Sequence, residues 1–493
     1  MLRKGRFERP MDETVSEYTS SMQADIRIFK PVVQINMAHV VMLAERAIIP
    51  EKDAAAILRA LHELYGKGVE ALELKPELED IHIAVEKFVI GATSDEVGGK
   101  LNTAKSRNDQ VAAAIRIRLR EDILEVQSAL IELINNLIAL AGKNMKTIMP
   151  GYTHLQVAQP TTFAHYLAAY ASAFLRDVER LSHAFEQMNS CPMGACALAG
   201  TSFSINQGRV ARLLGFKHIM ENTMDAVSSR DFAIQTISAM TILMTNLSRL
   251  AEELVLWTSA EFDMVEIPDE FVATSSIMPQ KKNPVVAEIS RARSGRLVGD
   301  LLASLTIMKA LPQSYSLDLQ DLTSLLWDAV DQTRASVKAM SKLISAIEPK
   351  PDVMLRRVDV GFAAATELAD TLVRRSGFAF REAHAAVGKM IAKAVKEGKS
   401  QQNLKVEDLK DASKEALGKE IHISEEDFKG ALDASKCVEA RASIGGPAPK
   451  AIKSQLDLLK RTNKMHEKIA QTRMRAITKS ETKLLKEVRR ISK

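Results

Sequence analysis

An all-α chain of three domains, built on a central bundle of long helices, is what three observations in this sequence predict. Aromatic residues make up only 5% of the chain while hydrophobic residues reach 46%, and the abundance of Ala, Leu, Ile and Met favours helices over sheets. Leu119, Ile123, Val126, Leu130, Leu133, Leu137 and Leu140 follow steps of four and three, which is a heptad seam, and Ile131, Ile134 and Ile138 form a second stripe beside it. The same rhythm returns in Ile237, Met240, Met244, Leu247, Ala251 and Leu254. A helix with two apolar stripes has neighbours on two sides. Helices of this length exceed the diameter of a small domain, so their outer stripes are expected to pack against other subunits.

The first domain, 1–106, alternates short helical patterns with breaks at Pro10, Pro31, Pro50 and Pro76, and ends near Gly98-Gly99. Ser106-Arg107-Asn108-Asp109 then has the spacing of a capping box, so a long helix is expected from Arg107. The central domain, 107–355, contains long helices starting near residues 107, 160, 230 and 284. Asn283 is expected as the N-cap of the last of these and Pro284 as its first residue. Gly295 and Gly299, four apart on that helix, permit close approach of another helix. The third domain, 356–493, has shorter helices broken by Gly377, Gly398 and Gly418, a turn at Gly445-Gly446-Pro447-Ala448-Pro449, and a final helix from Lys450.

Several classes of function are disfavoured. A net charge of +5 is small for 493 residues, and the basic residues are spread along the chain, so no nucleic-acid partner is implied. The exception is the tail from Arg473 to Lys493, which reads as a solvated amphipathic helix. Cys191, Cys196 and Cys437 make no disulfide framework or metal set and read as buried thiols of a reducing, cytoplasmic compartment. The charged start Met1-Leu2-Arg3-Lys4-Gly5-Arg6 lacks the apolar core of a leader, and no apolar run is expected to span a membrane.

Three polar loops, each read as the entry to a long helix, carry the candidate chemistry: Ser106 to Asp109, Gly151-Tyr152-Thr153-His154-Leu155-Gln156, and Thr274-Ser275-Ser276-Ile277-Met278-Pro279-Gln280-Lys281-Lys282-Asn283-Pro284. Helix N-termini together with Arg107, Asn108, Thr153, Lys281 and Asn283 suit the oxygens of a small polycarboxylate. They lack a Gly-rich phosphate cradle or zinc-type spacing. His154 is the one histidine inside a polar loop.

Ser275 to Pro284 resembles the signature of the fumarase/aspartase lyase superfamily, and its Gln-Lys-Lys form is similar to that of the argininosuccinate lyase family. Glu79-Asp80-Ile81-His82, Gly98-Gly99-Lys100-Leu101, Ser106 to Gln110, Gly151 to Gln156, Ala199 to Phe203 and Phe380-Arg381-Glu382-Ala383-His384 agree with that likeness, which covers nearly the whole chain. The resemblance implies a homotetramer with each active site shared between subunits, and elimination of arginine from argininosuccinate to leave fumarate, without cofactor or metal. It places Ser275, His154 and Glu288 in catalysis, with Ser275 and His154 working on opposite faces of the substrate and Glu288 orienting the histidine. Which of Ser275 and His154 is acid and which base stays open. Substrate contacts carry over to Ser21, Asn108, Thr153, Asn283, Tyr315 and Gln320, and Arg107, Ser276 and Lys281 join them as binding candidates. Thr323, Lys105, Asn102 and Thr274 depart from the family pattern, where lysine, arginine, histidine and glycine are usual; charge is expected to survive at Lys105. The alternatives are another fumarate-releasing lyase, similar to adenylosuccinate lyase, or a non-catalytic crystallin-like structural protein.

Overall fold

The computed structural model describes residues 9–493, so the charged start of the chain lies outside the described residues. Helices of ten or more residues are α1 (Phe29–Glu45), α2 (Glu51–Lys67), α3 (Ile81–Ala92), α4 (Arg107–Lys143), α5 (Phe163–Met188), α6 (Asp231–Thr258), α7 (Val285–Met308), α8 (Leu319–Ala346), α9 (Pro351–Val360), α10 (Ala365–Ser376), α11 (Phe380–Lys396), α12 (Val406–Leu417) and α13 (Pro449–Ile491). The all-α expectation holds, and strands are short and paired in twos.

Five long helices, α4 to α8, form a closed ring of packed neighbours, α4 against α5, α5 against α6, α6 against α7, α7 against α8, and α8 back against α4. The heptad seam is buried as its period requires, with Leu119, Ile123, Val126, Leu130, Leu133 and Leu137 all inside. Ser106 caps α4 as expected, with its own N–H donating to Asp109 Oδ1 at 3.1 Å. Asp109 Oδ2 also accepts from the N–H groups of Gly194 and Cys196, at 3.1 and 2.9 Å. These bonds tie the 190–200 loop to the start of α4.

Buried residues of α1 and α2 join those of the bundle in one continuous core, as do Ile452, Leu456, Leu484 and Val488 of α13. The sequence reading groups α13 with the third domain. Its apolar face instead lies along α4, α5, α1 and α2, and only α10 to α12 with the short helix Glu425–Leu432 enclose a separate core around Leu372, Val387, Leu409 and Phe428.

Three other expectations change. Asn283 does not cap α7: it sits in the strand Lys282–Asn283 paired antiparallel with Ala273–Thr274, and the carbonyl of Pro284 accepts the first helical N–H groups. Tertiary strand pairing has claimed the residue that local preference assigns to the cap. Second, Gly151 to Gln156 is the tip of a hairpin, β1 (Ile148–Thr153) with β2 (Gln156–Thr162), and Thr162 caps α5 through the N–H of His165. Third, Met22–Glu45 and Arg107–Lys143 are apolar and long enough to cross a membrane by length and composition. Both are folded as core helices, with 83% and 56% of their apolar windows buried in the protein.

Cys191 and Cys437 are buried but Cys196 is only half so, and among the described residues no cluster of His, Cys, Asp and Glu could hold a metal ion.

Candidate active site

The candidate residues gather at two opposite ends of the bundle. At one end, where α4 and α6 begin and α7 ends, a cavity of about 220 Å³ is lined by Ser21, Arg107, Asn108, Tyr315 and Gln320, five of the residues expected to bind substrate. Ser21 is placed by its N–H, which donates to the Glu79 carbonyl at 3.0 Å. Its Oγ donates to Asp25 Oδ2 at 2.6 Å. Asn108 Nδ2 donates to the Ala197 carbonyl at 3.0 Å, and Gln320 Nε2 to the Thr19 carbonyl at 3.2 Å.

Arg107 is less free than its sequence context implies. Its guanidinium meets Glu79 Oε2 at 2.8 Å and Asp80 Oδ2 at 3.0 Å, so two carboxylates already balance its charge. The cavity holds a second guanidinium, Arg230, which sequence reasoning missed. Arg230 is 1% exposed, and its Nη1 donates to the carbonyls of Val227 and Ser229 at 3.3 and 2.9 Å. Its Nε and Nη2 are buried with no hydrogen-bond partner. Burial lowers its pKa to about 10, so it remains a cation at neutral pH. A buried donor fork without acceptors is a ready receptor for a carboxylate. Its one sequence signal was its place at the entry to a heptad helix, the same position as Arg107. Asp25 was missed as well: burial pushes its carboxyl up to about 7, against the lowering effect of the Ser21 hydroxyl.

Three of the four family departures belong to the segments of this end. Thr323 lines the cavity, buried, with its Oγ1 donating back to the Leu319 carbonyl at 3.0 Å. Lys105 is buried, with its amine donating to Asn36 Oδ1 and, at 3.1 Å, to Gln110 Oε1. Burial lowers its pKa to about 7, so the charge expected to survive there is only partly present at neutral pH. Asn102 is exposed.

At the other end of the bundle lie His154, Thr153, the Ser275 loop and Glu288. The strands Ala273–Thr274 and Lys282–Asn283 clamp the base of this loop, and Lys282 is held by Glu266 and Asp269 at 3.0 and 2.7 Å. Thr274 is in extended backbone, where threonine is as suitable as glycine. Within the loop, Ser275 Oγ accepts the N–H groups of Ile277 and Met278 at 3.3 and 3.0 Å. Ser276 has no such pair of donors and is exposed, as are Lys281 and Glu288.

His154 and Leu155 occupy the two-residue turn of the β1–β2 hairpin with φ of 56° and 57°. Two consecutive non-glycine residues in the left-handed region are costly, on the order of 1–2 kcal/mol each, and such strain collects at functional sites. Both side chains project into solvent. The end of α9 braces the hairpin, where a Cβ on Gly361 would stand 2.6 Å from Val157 Cγ1.

Among the described residues, no hydrogen bond or ion pair connects His154, Ser275 and Glu288. The two ends of the bundle are further apart than any small substrate: 35 residues of α4 follow Asn108 on the way to the hairpin, about 53 Å at 1.5 Å per residue. Between Glu288 and Tyr315 runs all but the first turn of the 24-residue α7, a rise of about 30 Å.

Comparison with known proteins accords with the motifs. A family model described as Lyase matches residues 5–299, and one described as Argininosuccinate lyase C-terminal matches residues 362–439. An argininosuccinate lyase from Methanosarcina mazei is 45% identical over 459 residues, covering 92% of each chain. The chain belongs to the argininosuccinate lyase family. Another argininosuccinate lyase, from Methanocaldococcus jannaschii, is 42% identical over 98% of this chain and 99% of its own. Among solved structures, an EDDS lyase in complex with formate superposes with a TM-score of 0.89 at 29% identity, over 94% of this chain and 92% of its own. A class II fumarase from Schistosoma mansoni reaches 0.70 at 18% identity over 83% of this chain and 90% of its own, a likeness of fold alone. Membership of the argininosuccinate lyase family makes the chain a lyase acting on a small molecule.

Proposed function

We propose that the chain cleaves argininosuccinate to L-arginine and fumarate in a homotetramer whose active sites combine the cavity end of one subunit with the hairpin and serine loop of others. The division of the candidate residues between the two ends of the bundle carries this reading, because no single chain can bring Asn108 and His154 to one substrate. The outward face of α7 supports it. Ile289, Val298, Leu302 and Leu305 are each about half exposed or more, at 52%, 51%, 65% and 49%. A Cβ on Gly295 or Gly299 would meet nothing within 4 Å. An apolar stripe with small residues at its centre is what another subunit's helix covers.

In the elimination, Ser275 Oγ takes the proton from the carbon beside one carboxylate of the succinate moiety. The N–H groups of Ile277 and Met278 stabilise its alkoxide, which supports Ser275 rather than His154 as the base. The electron pair left on carbon spreads into the carboxylate, and the double bond of fumarate forms as the carbon–nitrogen bond breaks. His154, oriented by Glu288 of a neighbouring subunit, returns a proton to the departing guanidino nitrogen, directly or through water. Lys281, Asn283, Thr153 and Ser276 hold the succinate carboxylates. Ser21, Asn108, Tyr315 and Gln320 bind the arginine portion, with Arg230 opposite its carboxylate and Asp25 near its ammonium. The reading needs no metal or cofactor.

The test is purified protein supplied with argininosuccinate and, separately, adenylosuccinate, with fumarate followed by ultraviolet absorbance. Fumarate from the first substrate alone is expected. Release only from adenylosuccinate would move the chain to the alternative lyase activity, and release from neither would leave a structural role.

A further inference from the structure

The last helix has a feature that the lyase activity does not use. From Pro449 to Lys493 there are fourteen Lys and Arg against four Asp and Glu, a net charge of +10 in a chain whose total is +5. The rest of the protein is therefore net negative, and the evenly spread charge read from the totals conceals one strongly basic element. The inward face of α13, including Leu459, Asn463, His466, Leu484 and Val488, is buried against the bundle. On the outward face Lys464, Lys468, Arg475, Lys479 and Lys486 recur at steps of four and seven, which places them on one line, and all five are exposed. That line is about 33 Å long at 1.5 Å per residue.

None of the five makes an ion pair among the described residues. Of the four acids on α13, Glu481 is engaged with Lys30 at 2.8 Å and Glu487 with Arg209 and Arg490 at 3.4 and 3.0 Å, Glu467 accepts from Gln471 Nε2 at 3.2 Å, and Asp457 precedes the row. A helix face that serves only solubility interleaves the two signs, because like charges four residues apart repel. Over this length one sign prevails.

We propose that the outward face of α13 is a docking surface for the phosphate backbone of double-helical RNA. The segment from Pro449 to Lys493 contains no Phe, Tyr or Trp, so it offers no stacking platform for the bases of a single strand. Most of its apolar side chains are spent on the protein core, and Leu458, Met465 and Ile469, the large ones left exposed, are too few to seat the helix in a lipid surface. Because α13 lies as a rib along α4 and α5, it is not a free helix of the kind that enters the wide major groove of B-DNA. Helical RNA is recognised by shape and by phosphate contacts across its backbone, and a straight row of long cationic side chains on a rigid rod matches that requirement.

The experiment is fluorescence anisotropy of the full-length protein with a labelled 20-base-pair RNA duplex between 50 and 200 mM KCl. If about five phosphates are neutralised, affinity is expected to fall roughly 500-fold across that range. The variant K464E/K468E/R475E/K479E is expected to bind at least 100-fold more weakly, with fumarate release and circular dichroism unchanged, whereas K52E/K396E, two exposed lysines elsewhere, binds as the parent does. Should the fourfold Glu variant misfold, the corresponding Gln variant is expected to show a salt slope shallower by about four. The proposal is overturned if the parent shows no salt-dependent binding or if the stripe variants bind like the parent. It is equally overturned if single-stranded RNA, a DNA duplex of equal length or phosphatidylserine vesicles are bound at least as tightly as the RNA duplex.

Discussion

Combining two inactive variants discriminates most directly between a site shared among subunits and one contained in a single chain. His154→Asn removes the proposed proton donor at the hairpin end and is expected to lower turnover by about 10²–10⁴-fold. Asn108→Leu removes a hydrogen-bonding amide from the cavity end and is expected to cost about 2 kcal/mol of binding, roughly 30-fold. In any one subunit 35 residues of α4 follow Asn108 before the chain reaches the hairpin, a rise of about 53 Å, so in the proposed arrangement each site takes the two residues from different chains. Random reassembly of equal amounts then gives each site about a one-half chance of an intact residue at either position. About one quarter of the sites become fully intact, and activity is expected to recover to about 25% of the parent level from a background near a few percent. The assay is fumarate release after the two variants are dissociated together and refolded, with differently tagged subunits co-purified to confirm exchange. Mixed oligomers that show no recovery would refute the geometric reasoning, since a site built within one chain carries one lesion or the other in every copy.

Three further outcomes are expected. Ser275→Ala is expected to lose several orders of magnitude in turnover while retaining substrate binding by calorimetry, and Ser276→Ala only a small factor, because two backbone N–H groups converge on Ser275 Oγ alone; the reverse ranking would displace Ser275 as the base. The folded-state pKa of Lys105 is lowered to about 7, so between pH 7 and 10 the unfolded chain binds more protons and stability rises with pH, by up to about 1.4 kcal/mol per unit from this group. Lys105→Met is expected to flatten that rise in urea-unfolding midpoints measured across the range. Gly361→Ala is expected to destabilise the protein by about 1–3 kcal/mol by pressing a methyl group onto Val157, and the second substitution Val157→Ala to recover most of the loss in thermal melts; no recovery would mean that the contact is not the cause.

The features legible in the sequence were those set by residues three or four positions apart. The heptad seam from Leu119 to Leu140, the capping box at Ser106 and Asp109, and the start of the last helix near Lys450 are all of this kind. Their stereochemistry is local, so the folded structure had only to preserve it. Asn283 shows where this stops: its propensity as a cap was real, but pairing with Ala273–Thr274 gave its backbone another use. The β1–β2 hairpin was overlooked because Pro150, Gly151 and Pro160 break any clear alternation of apolar and polar residues.

The motif residues, and with them the family, were thus settled by the order of the amino acids. Tertiary structure decided what each polar residue is able to do. Arg107 and Arg230 both stand at the entry to a long helix, yet one is matched by Glu79 and Asp80 while the other is buried with two donor groups unanswered. Lys105 reads as a full positive charge and is instead a buried amine whose pKa burial lowers to about 7. Charge, proton affinity and availability depend on groups brought together from distant parts of the chain and on the water they exclude, and neither is written in the spacing of neighbours. The rigid length of α4, implicit in its unbroken heptads, gained its functional meaning only when the fold set Asn108 at one end and His154 beyond the other.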